Sequence, residues 1–184
     1  MQIILASQSP RRKMLLEWAE IPFTVKVAFT DESFPAGMAV EDVPVHIAKN
    51  KALAIPTVKN EVIIAADTVV VLDNEIIGKP ASRDHAIDIL GKLSGKVHRV
   101  ITGVVILKKE KEISFADITE VEFHELTSAQ IVFYVDKYKP YDKAGAYAIQ
   151  EWIGVTGIKK ITGDFYNVMG LPVSRVVKTL QQLD

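Results

Sequence analysis

Residues 3–12 carry the sequence Ile3-Ile4-Leu5-Ala6-Ser7-Gln8-Ser9-Pro10-Arg11-Arg12. The apolar run at 3–5 is typical of a short buried strand. Ser9 followed by Pro10 indicates a helix start, with serine as the N-cap residue and proline at the first helical position. A strand, a polar loop and a helix therefore follow one another directly, and this unit is the building block of α/β folds.

The same alternation of strand and helix continues along the rest of the chain. We predict strands at residues 3–5, 23–27, 62–72, 75–78, 98–108, 112–122 and 158–161, and helices at 11–20, 41–54, 84–93, 128–137 and 173–183. Asp73-Asn74 favours a tight turn that joins two of these strands as a hairpin. Because several strand pairs are joined in this way, we predict an α/β fold with a mixed, twisted β-sheet flanked by helices. Met14, Leu15 and Trp18 recur at helical spacing and are expected to face the core.

The composition excludes several classes of protein. The chain has 184 residues, with 22 Lys and Arg against 23 Asp and Glu and no cysteine. The length fits one domain or two small lobes. Zero cysteine excludes a disulfide scaffold, thiolate-held zinc and cysteine catalysis. A net charge of −1 argues against a dedicated nucleic-acid binder, because neutralising a phosphate backbone needs surplus Lys and Arg.

No targeting or membrane segment is visible in the sequence. The apolar run at 62–72 is too short to span a bilayer and carries Asp67 in its middle. The N-terminal residues lack the basic-then-apolar order of a signal peptide. We therefore expect a cytoplasmic protein with no membrane partner.

The polar loop after the first strand has the chemistry of an anion site. Backbone N–H groups at the helix start, the hydroxyls of Ser7 and Ser9, and the guanidiniums of Arg11 and Arg12 could all contact phosphate oxygens. The alternative is a capped helix whose arginine pair is simply solvated.

Asp67 is unusual because it interrupts a long apolar strand. A buried and unpaired carboxylate would cost several kcal/mol, so such a residue usually pairs with a cation, binds a metal or serves as a base. Lys79, which lies beyond the hairpin, could return as the positive partner. The alternative is a strand end or bulge at which Asp67 faces water.

Two further segments could contribute to a site. Residues 142–150 are rich in small side chains, which let a backbone approach a ligand closely, and the amide of Gln150 can donate and accept at once. Residues 163–172 form a turn-rich link that could equally be structural. The usual nucleotide-binding glycine motifs and paired histidines are missing from the sequence, so any metal would be a hard cation held by carboxylates and phosphate oxygens.

Together these segments resemble the Maf family of nucleoside triphosphate pyrophosphatases. The matching segments are, in order, residues 5–12, 32, 51–52, 66–69, 78–80, 93–95, 102–104, 142–147, 149–150 and 163–172. The resemblance covers essentially the whole chain. It implies a mixed α/β fold shared with inosine triphosphate pyrophosphatases, a single domain over residues 1–184 with two lobes around a nucleotide cleft, and a homodimer.

The resemblance also implies the activity and the roles of individual residues. The expected reaction is the metal-dependent hydrolysis of a nucleoside triphosphate to the monophosphate and pyrophosphate. The position of Asp67 is that of the family's proposed proton acceptor, and the positions of Arg11, Thr68 and Gln150 are linked to substrate choice. Thr68 and Gln150 both match the class that acts on dTTP and UTP.

We expect Mg²⁺ or Mn²⁺ to be held by Glu32 and Asp67. The expected substrate-binding residues are Ser7, Ser9, Arg11, Arg12, Lys51, Thr68, Lys79 and Gln150. One alternative is a house-cleaning pyrophosphatase for modified nucleotides. Another, of a different class, is a non-catalytic nucleotide-binding regulator of septum formation.

Overall fold

The computed structural model describes residues 2–56, 60–109 and 111–183. Its strands are β1 (Gln2–Leu5), β2 (Phe23–Val25), β3 (Glu61–Leu72), β4 (Glu75–Ile77), β5 (Val97–Lys108), β6 (Lys111–Phe123) and β7 (Ile158–Thr162). Its helices are α1 (Pro10–Trp18), α2 (Val43–Leu53), α3 (Arg83–Leu93), α4 (Ser128–Tyr138), α5 (Trp152–Gly157), α6 (Phe165–Met169) and α7 (Val173–Gln181), and a 3₁₀ turn covers Ala144–Ala146. Every predicted strand and helix is present; the short helices α5 and α6 were not predicted.

The strands form one mixed sheet. The strand order is β2-β1-β3-β5-β6-β7, and the short strand β4 pairs with β3 in addition to this order. β1 is parallel to β2 and to β3, whereas the pairs β3–β4 and β6–β7 are antiparallel. The predicted mixed α/β fold is thus confirmed.

The predicted hairpin joins β3 to β4. Val70 faces Ile77 and Leu72 faces Glu75 in its register. Asp73 and Asn74 have φ of 50° and 65°, so both central residues of the two-residue turn are left-handed. This is the turn class whose twist matches that of the flanking strands.

The chain divides into two compact units. The first consists of Met1–Thr68, Thr102–Asp117 and Gly170–Asp184, and the second of Val69–Ile101 and Ile118–Met169. The strands β3, β5 and β6 each contribute residues to both units. The single domain over residues 1–184 stays a prediction.

The core of the first unit lies between α2 and strands β1, β3 and β5. Its buried residues are Ile4, Ala6, Ala48, Ala52, Ile55, Ile63, Ala65, Val105 and Leu107. Gly103 in β5 allows the start of α2 to approach, since a Cβ there would lie 2.2 Å from the backbone nitrogen of Val45. This close packing fixes α2, whose last turn carries Lys51.

An aromatic cluster lies in the core of the second unit. The rings of His98, Phe123 and Tyr147 meet edge to face, with centroids 5.0–5.4 Å apart. The imidazole Nε2 of His98 and the hydroxyl of Tyr147 are 2.7 Å apart and share a hydrogen bond. No hydrogen-bond partner among the described residues reaches the other ring nitrogen, the buried Nδ1.

The prediction for the buried face of α1 was partly wrong. Leu15 is buried, but Trp18 is 60% exposed, and the buried residues of this helix are Arg12, Leu15 and Leu16. The hydropathy of arginine predicts that Arg12 lies on the exposed face of α1, but the structure buries it. The buried face of α1 therefore includes Arg12 and does not include Trp18.

Among the helices in the described part of the chain, none has the combination of length and apolar character needed to cross a bilayer.

Candidate functional site

An ion-pair cluster marks the middle of β3. The ammonium of Lys51 lies 2.7 Å from Asp67 Oδ1 and 2.7 Å from Glu32 Oε1. The side chains of Lys51 and Asp67 are 17% and 14% exposed, whereas that of Glu32 is 53% exposed. Two predicted carboxylates therefore converge on one cation. The positive partner of Asp67 is therefore Lys51, whereas the sequence suggests Lys79 for this role.

Arg12 forms a second cluster beneath the polar loop. Its Nε donates to the carbonyl oxygen of Gly170 at 2.8 Å, Nη1 to Ser7 Oγ at 3.2 Å and Nη2 to Thr68 Oγ1 at 3.1 Å. The residue is 9% exposed, and each of its three nitrogens donates to a different acceptor. It therefore fixes two of the predicted substrate-binding hydroxyls instead of lying open to solvent.

The pKa of Arg12 is lowered from its ordinary value chiefly because burial penalises the charged form. The negative charge of Asp67 opposes this shift, Arg11 adds to it and Glu32 opposes it again. Arginine stays protonated in proteins at neutral pH, so the cluster holds a permanent buried cation.

Thr68 links this cluster to β5. Its hydroxyl lies 2.9 Å from that of Thr102, which is fully buried, and 3.5 Å from the carbonyl oxygen of Gly170. Because Arg12 can only donate, the Thr68 oxygen accepts one hydrogen bond from it. Its other hydrogen-bonding capacity is shared between Thr102, Gly170 and any ligand.

The predicted helix start after β1 is confirmed. Ser9 is the N-cap of α1, with Pro10 at the start of the helix, and its hydroxyl accepts from the backbone N–H of Arg12 at 3.5 Å. The backbone N–H of Ser9 donates to Ser7 Oγ at 3.2 Å. Arg11 is half-buried. The helix is therefore capped as the alternative predicts, but one of its two arginines is buried and bonded instead of solvated, and the anion site stays a prediction.

The second unit carries the two remaining predicted residues. Lys79 and Gln150 are both exposed. The segments that hold them are joined where the backbone N–H of Gly145 donates to the carbonyl oxygen of Gly78 at 3.2 Å. Gly145 has φ of 70°, and a Cβ on it would lie 2.9 Å from a methyl carbon of Val70, so the 3₁₀ turn packs closely on β3.

Two carboxylates, those of Glu32 and Asp67, are available as ligands for a hard cation. In the described ranges, no group of three or more His, Asp or Glu side chains is arranged to hold a metal ion. Magnesium is commonly bound by one or two carboxylates together with phosphate oxygens and water. Glu32 and Asp67, which already meet at one ammonium, fit that requirement.

Three contacts in the structure were not predicted from the sequence. The hydrogen bond from Arg12 to the carbonyl oxygen of Gly170 could not be predicted from the residue type, because every residue has a backbone carbonyl. Thr102 lies in one of the matching segments, but the sequence does not indicate that its hydroxyl meets that of Thr68. Tyr134, on α4, bonds to the segment before α5, and only the folded chain brings these two together.

The sequence model described as "Maf-like protein" matches residues 2–183. The chain belongs to the Maf family.

Three curated relatives of this Maf chain share one name. A "dTTP/UTP pyrophosphatase" of Cytophaga hutchinsonii is 50% identical over 182 residues, covering 98% of this chain and 84% of that protein. Proteins of the same name from Bacteroides thetaiotaomicron and Bacillus cereus are 46% and 44% identical, covering 99% and 100% of this chain and 96% of each relative.

Solved structures support the predicted fold of this Maf chain. A Ham1 protein of Staphylococcus aureus is 16% identical, with a TM-score of 0.53 and 100% coverage of both chains. A HAM1 protein of Coxiella burnetii gives a TM-score of 0.53 at 13% identity, with 99% coverage of both chains. At this identity the likeness concerns the fold alone.

Proposed function

We propose that this Maf protein hydrolyses dTTP and UTP to the nucleoside monophosphate and pyrophosphate. The observation that carries the proposal is the meeting of Asp67 and Glu32 at the ammonium of Lys51. The names of the relatives supply the substrates, and the residues of this chain supply a mechanism.

Charge neutralisation is the first requirement of the reaction. A triphosphate carries about four negative charges, and its own oxygens shield the α-phosphorus. Arg11, Lys51 and Lys79 would neutralise these oxygens and the departing pyrophosphate. Arg12, which is bonded to Ser7 and Thr68, would act by holding their hydroxyls and by its field.

Proton transfer is the second requirement. Asp67 would accept the proton of the water whose oxygen attacks the α-phosphorus. The bond from that phosphorus to the bridging oxygen then breaks, and pyrophosphate leaves. Lys51 would keep the Asp67 carboxylate in place for this role, at 2.7 Å.

Glu32 and Asp67 would hold a divalent cation, Mg²⁺ or Mn²⁺. When bound, such an ion neutralises phosphate oxygens and makes a coordinated water more acidic.

The choice of base would depend on Gln150 and Thr68. The amide of Gln150 can match the donor and acceptor on the edge of uracil or thymine. A site built on such pairs discriminates strongly, because a wrong base leaves buried polar groups unpaired.

The two alternatives remain distinguishable. A house-cleaning pyrophosphatase would share all the catalytic residues and prefer a modified nucleotide. A non-catalytic regulator of septum formation would bind a nucleotide without turnover, although a pure binder needs no base such as Asp67. A homodimer and a cytoplasmic location stay predictions.

The test is pyrophosphate release by the purified protein from UTP, dTTP, CTP, GTP and 7-methyl-GTP, with Mg²⁺, with Mn²⁺ and with a chelator. We expect UTP and dTTP to be preferred and the chelator to abolish turnover. Asp67→Asn should lower kcat by about 100-fold or more with an unchanged circular dichroism spectrum. Asp73→Asn, in the exposed hairpin turn, is the matched control and should keep normal rates. Near-normal turnover by Asp67→Asn, or a preference for a guanine nucleotide, would overturn the proposal.

A further inference from the structure

Gln150 lies on a short backbone turn between the 3₁₀ turn and α5. The backbone N–H of Glu151 donates to the carbonyl oxygen of Ala148 at 3.1 Å and closes this turn. Ala148 and Ile149 are 4% and 3% exposed, whereas Gln150 is exposed. The turn is therefore anchored at its base and presents one amide side chain to solvent.

The hydroxyl of Tyr134 ties both ends of this turn. It accepts a hydrogen bond from the backbone N–H of Ala148 at 3.1 Å and donates one to Glu151 Oε2. The Tyr134 side chain belongs to α4 and is fully buried. A single oxygen on a rigid helix thus holds the residues on either side of Ile149 and Gln150.

The surroundings of Tyr134 keep this arrangement in place. Burial is the main cause that raises the pKa of its hydroxyl, and the bond to Glu151 adds to it, so the group keeps its proton and donates at neutral pH. The ammonium of Lys143 lies 3.8 Å from Glu151 Oε1 and offsets the carboxylate charge. The ring of Tyr138 stacks on that of Tyr134 at 5.0 Å between centroids.

The turn is also held from α5. A Cβ on Gly154 would lie 1.7 Å from the carbonyl oxygen of Ile149, so only glycine allows this helix to pass so close to the turn. Tyr134 and Gly154 therefore restrain the backbone around Gln150 from two different elements.

We propose that Tyr134 is a positioning residue for base recognition, and that its hydroxyl preorganises the Gln150 turn before the nucleotide binds. The proposal rests on the proposed function, because it takes Gln150 as the residue that contacts the base. A loose turn would have to be ordered by each substrate molecule, at an entropic cost that subtracts from binding. The phosphate-binding and proton-accepting groups belong to other segments, so the effect should fall on substrate binding and not on the chemical step.

Tyr134→Phe removes the hydroxyl and keeps the ring. We expect the KM for UTP to rise about tenfold, the usual scale for orphaning a buried hydrogen-bonding group, and kcat to stay within about twofold. Tyr138→Phe is the matched control, on the same helix, since its hydroxyl makes no hydrogen bond within the described ranges. It should leave both constants unchanged.

The Gln150→Ala background separates positioning from a general structural defect. If Tyr134 acts through Gln150, adding Tyr134→Phe to Gln150→Ala should change KM by less than about twofold. An equal tenfold rise in both backgrounds, or a wild-type KM in Tyr134→Phe, would overturn the proposal. A failure of Gln150→Ala to affect KM would instead contradict the assignment of Gln150 in the proposed function.

Substitutions at Glu151 test the same contact from its other end and cover the case in which Tyr134→Phe does not fold. Glu151→Gln keeps an acceptor for the Tyr134 hydroxyl and should keep the KM for UTP near that of the wild type. Glu151→Ala removes the acceptor and should raise KM with kcat unchanged. The same KM for UTP in Glu151→Gln and Glu151→Ala would contradict the proposal.

Discussion

Arg12 is hydrogen-bonded both to the polar loop after β1 and to β3. Its three nitrogens donate to Gly170, Ser7 and Thr68 from a position that is 9% exposed. A lysine ammonium also has three N–H donors, but all of them start from one nitrogen, so it cannot replace the three separate guanidinium nitrogens that bond these acceptors. Without these hydrogen bonds, the free-energy cost of removing the cation from water would not be compensated.

Arg12→Lys should therefore lower the free energy of unfolding by about 2–4 kcal/mol, because a buried charge stays while most of its bonds are lost. Arg11→Lys, the neighbouring and half-buried arginine, is the matched control and should cost less than about 1 kcal/mol. Urea titrations of both variants measure the difference. An equal decrease in the free energy of unfolding in both variants would contradict a stabilising role of the Arg12 hydrogen bonds.

Individual residues differ in how far their roles can be read from the sequence. Asp67 was recognised as a candidate site residue because a charged side chain in an apolar strand is costly to bury unless it has a partner. Ser9-Pro10 was recognised as a helix start because capping depends only on neighbouring residues. Lys51 and Thr102 were not assigned their actual contacts, because the first depends on which strand meets α2 and the second on which strand lies beside β5. Local chemistry is visible in sequence, whereas a partner distant along the chain is fixed only by packing.

The same distinction applies to whole elements. The strands and the long helices follow their hydrophobic patterns and were predicted with small errors at their ends. The helix α6 was read as a turn-rich link, because it has five residues and lies between Gly163 and Gly170. Its buried Asn167 donates to the carbonyl oxygen of Val100 and to Thr119 Oγ1, so contacts distant in sequence stabilise it.

The contact between α2 and β5 gives a prediction at this scale. Gly103→Ala would place a methyl group 2.2 Å from the nitrogen of Val45 and 2.3 Å from the carbonyl carbon of Pro44. Backbone atoms cannot move aside cheaply, so we expect a loss of about 3 kcal/mol or more in the free energy of unfolding. Activity should fall as well, because α2 carries Lys51.

Gly91 in α3 is the matched control for this experiment. Apart from its chain neighbours and the backbone of its own helix, no atom in the described part of the chain lies within 4 Å of a Cβ built on it, so Gly91→Ala should stabilise the protein by about 0.5–1 kcal/mol through helix propensity. Thermal melts of both variants test the pair. A Gly103→Ala protein as stable as the wild type would contradict the close packing of α2 on β5.

At the scale of the whole molecule, the charge balance of −1 is compatible with a highly charged substrate. The cations at the candidate site are few and individually placed: Arg12 is held by three hydrogen bonds and Lys51 by two carboxylates. Binding a small polyanion requires local charge, whereas binding a nucleic acid requires a surplus over a whole face. The composition therefore argues against a long polyanion only.

Whole-molecule stability should depend on pH through His98. Burial lowers the pKa of His98 from 6.5 to about 4, so the folded protein keeps this imidazole neutral between these values while the unfolded chain binds a proton. The free energy of unfolding should therefore be highest above pH 6.5 and fall by up to about 3 kcal/mol as pH drops towards 4. Urea unfolding between pH 4 and 8 measures this decline.

His98→Gln is the control, because its side chain is polar and does not titrate. The variant should be less stable than the wild type at pH 7, since it disturbs the ring cluster with Phe123 and Tyr147. Its stability should nevertheless change less between pH 6.5 and 4, and the two curves should converge at acid pH. Carboxylates such as Asp136, whose pKa is lowered chiefly by its hydrogen bond to Arg83, also reduce the stability at acid pH, but they are present in both proteins and affect both equally. Parallel curves for the two proteins would show that His98 does not control the acid stability of the fold.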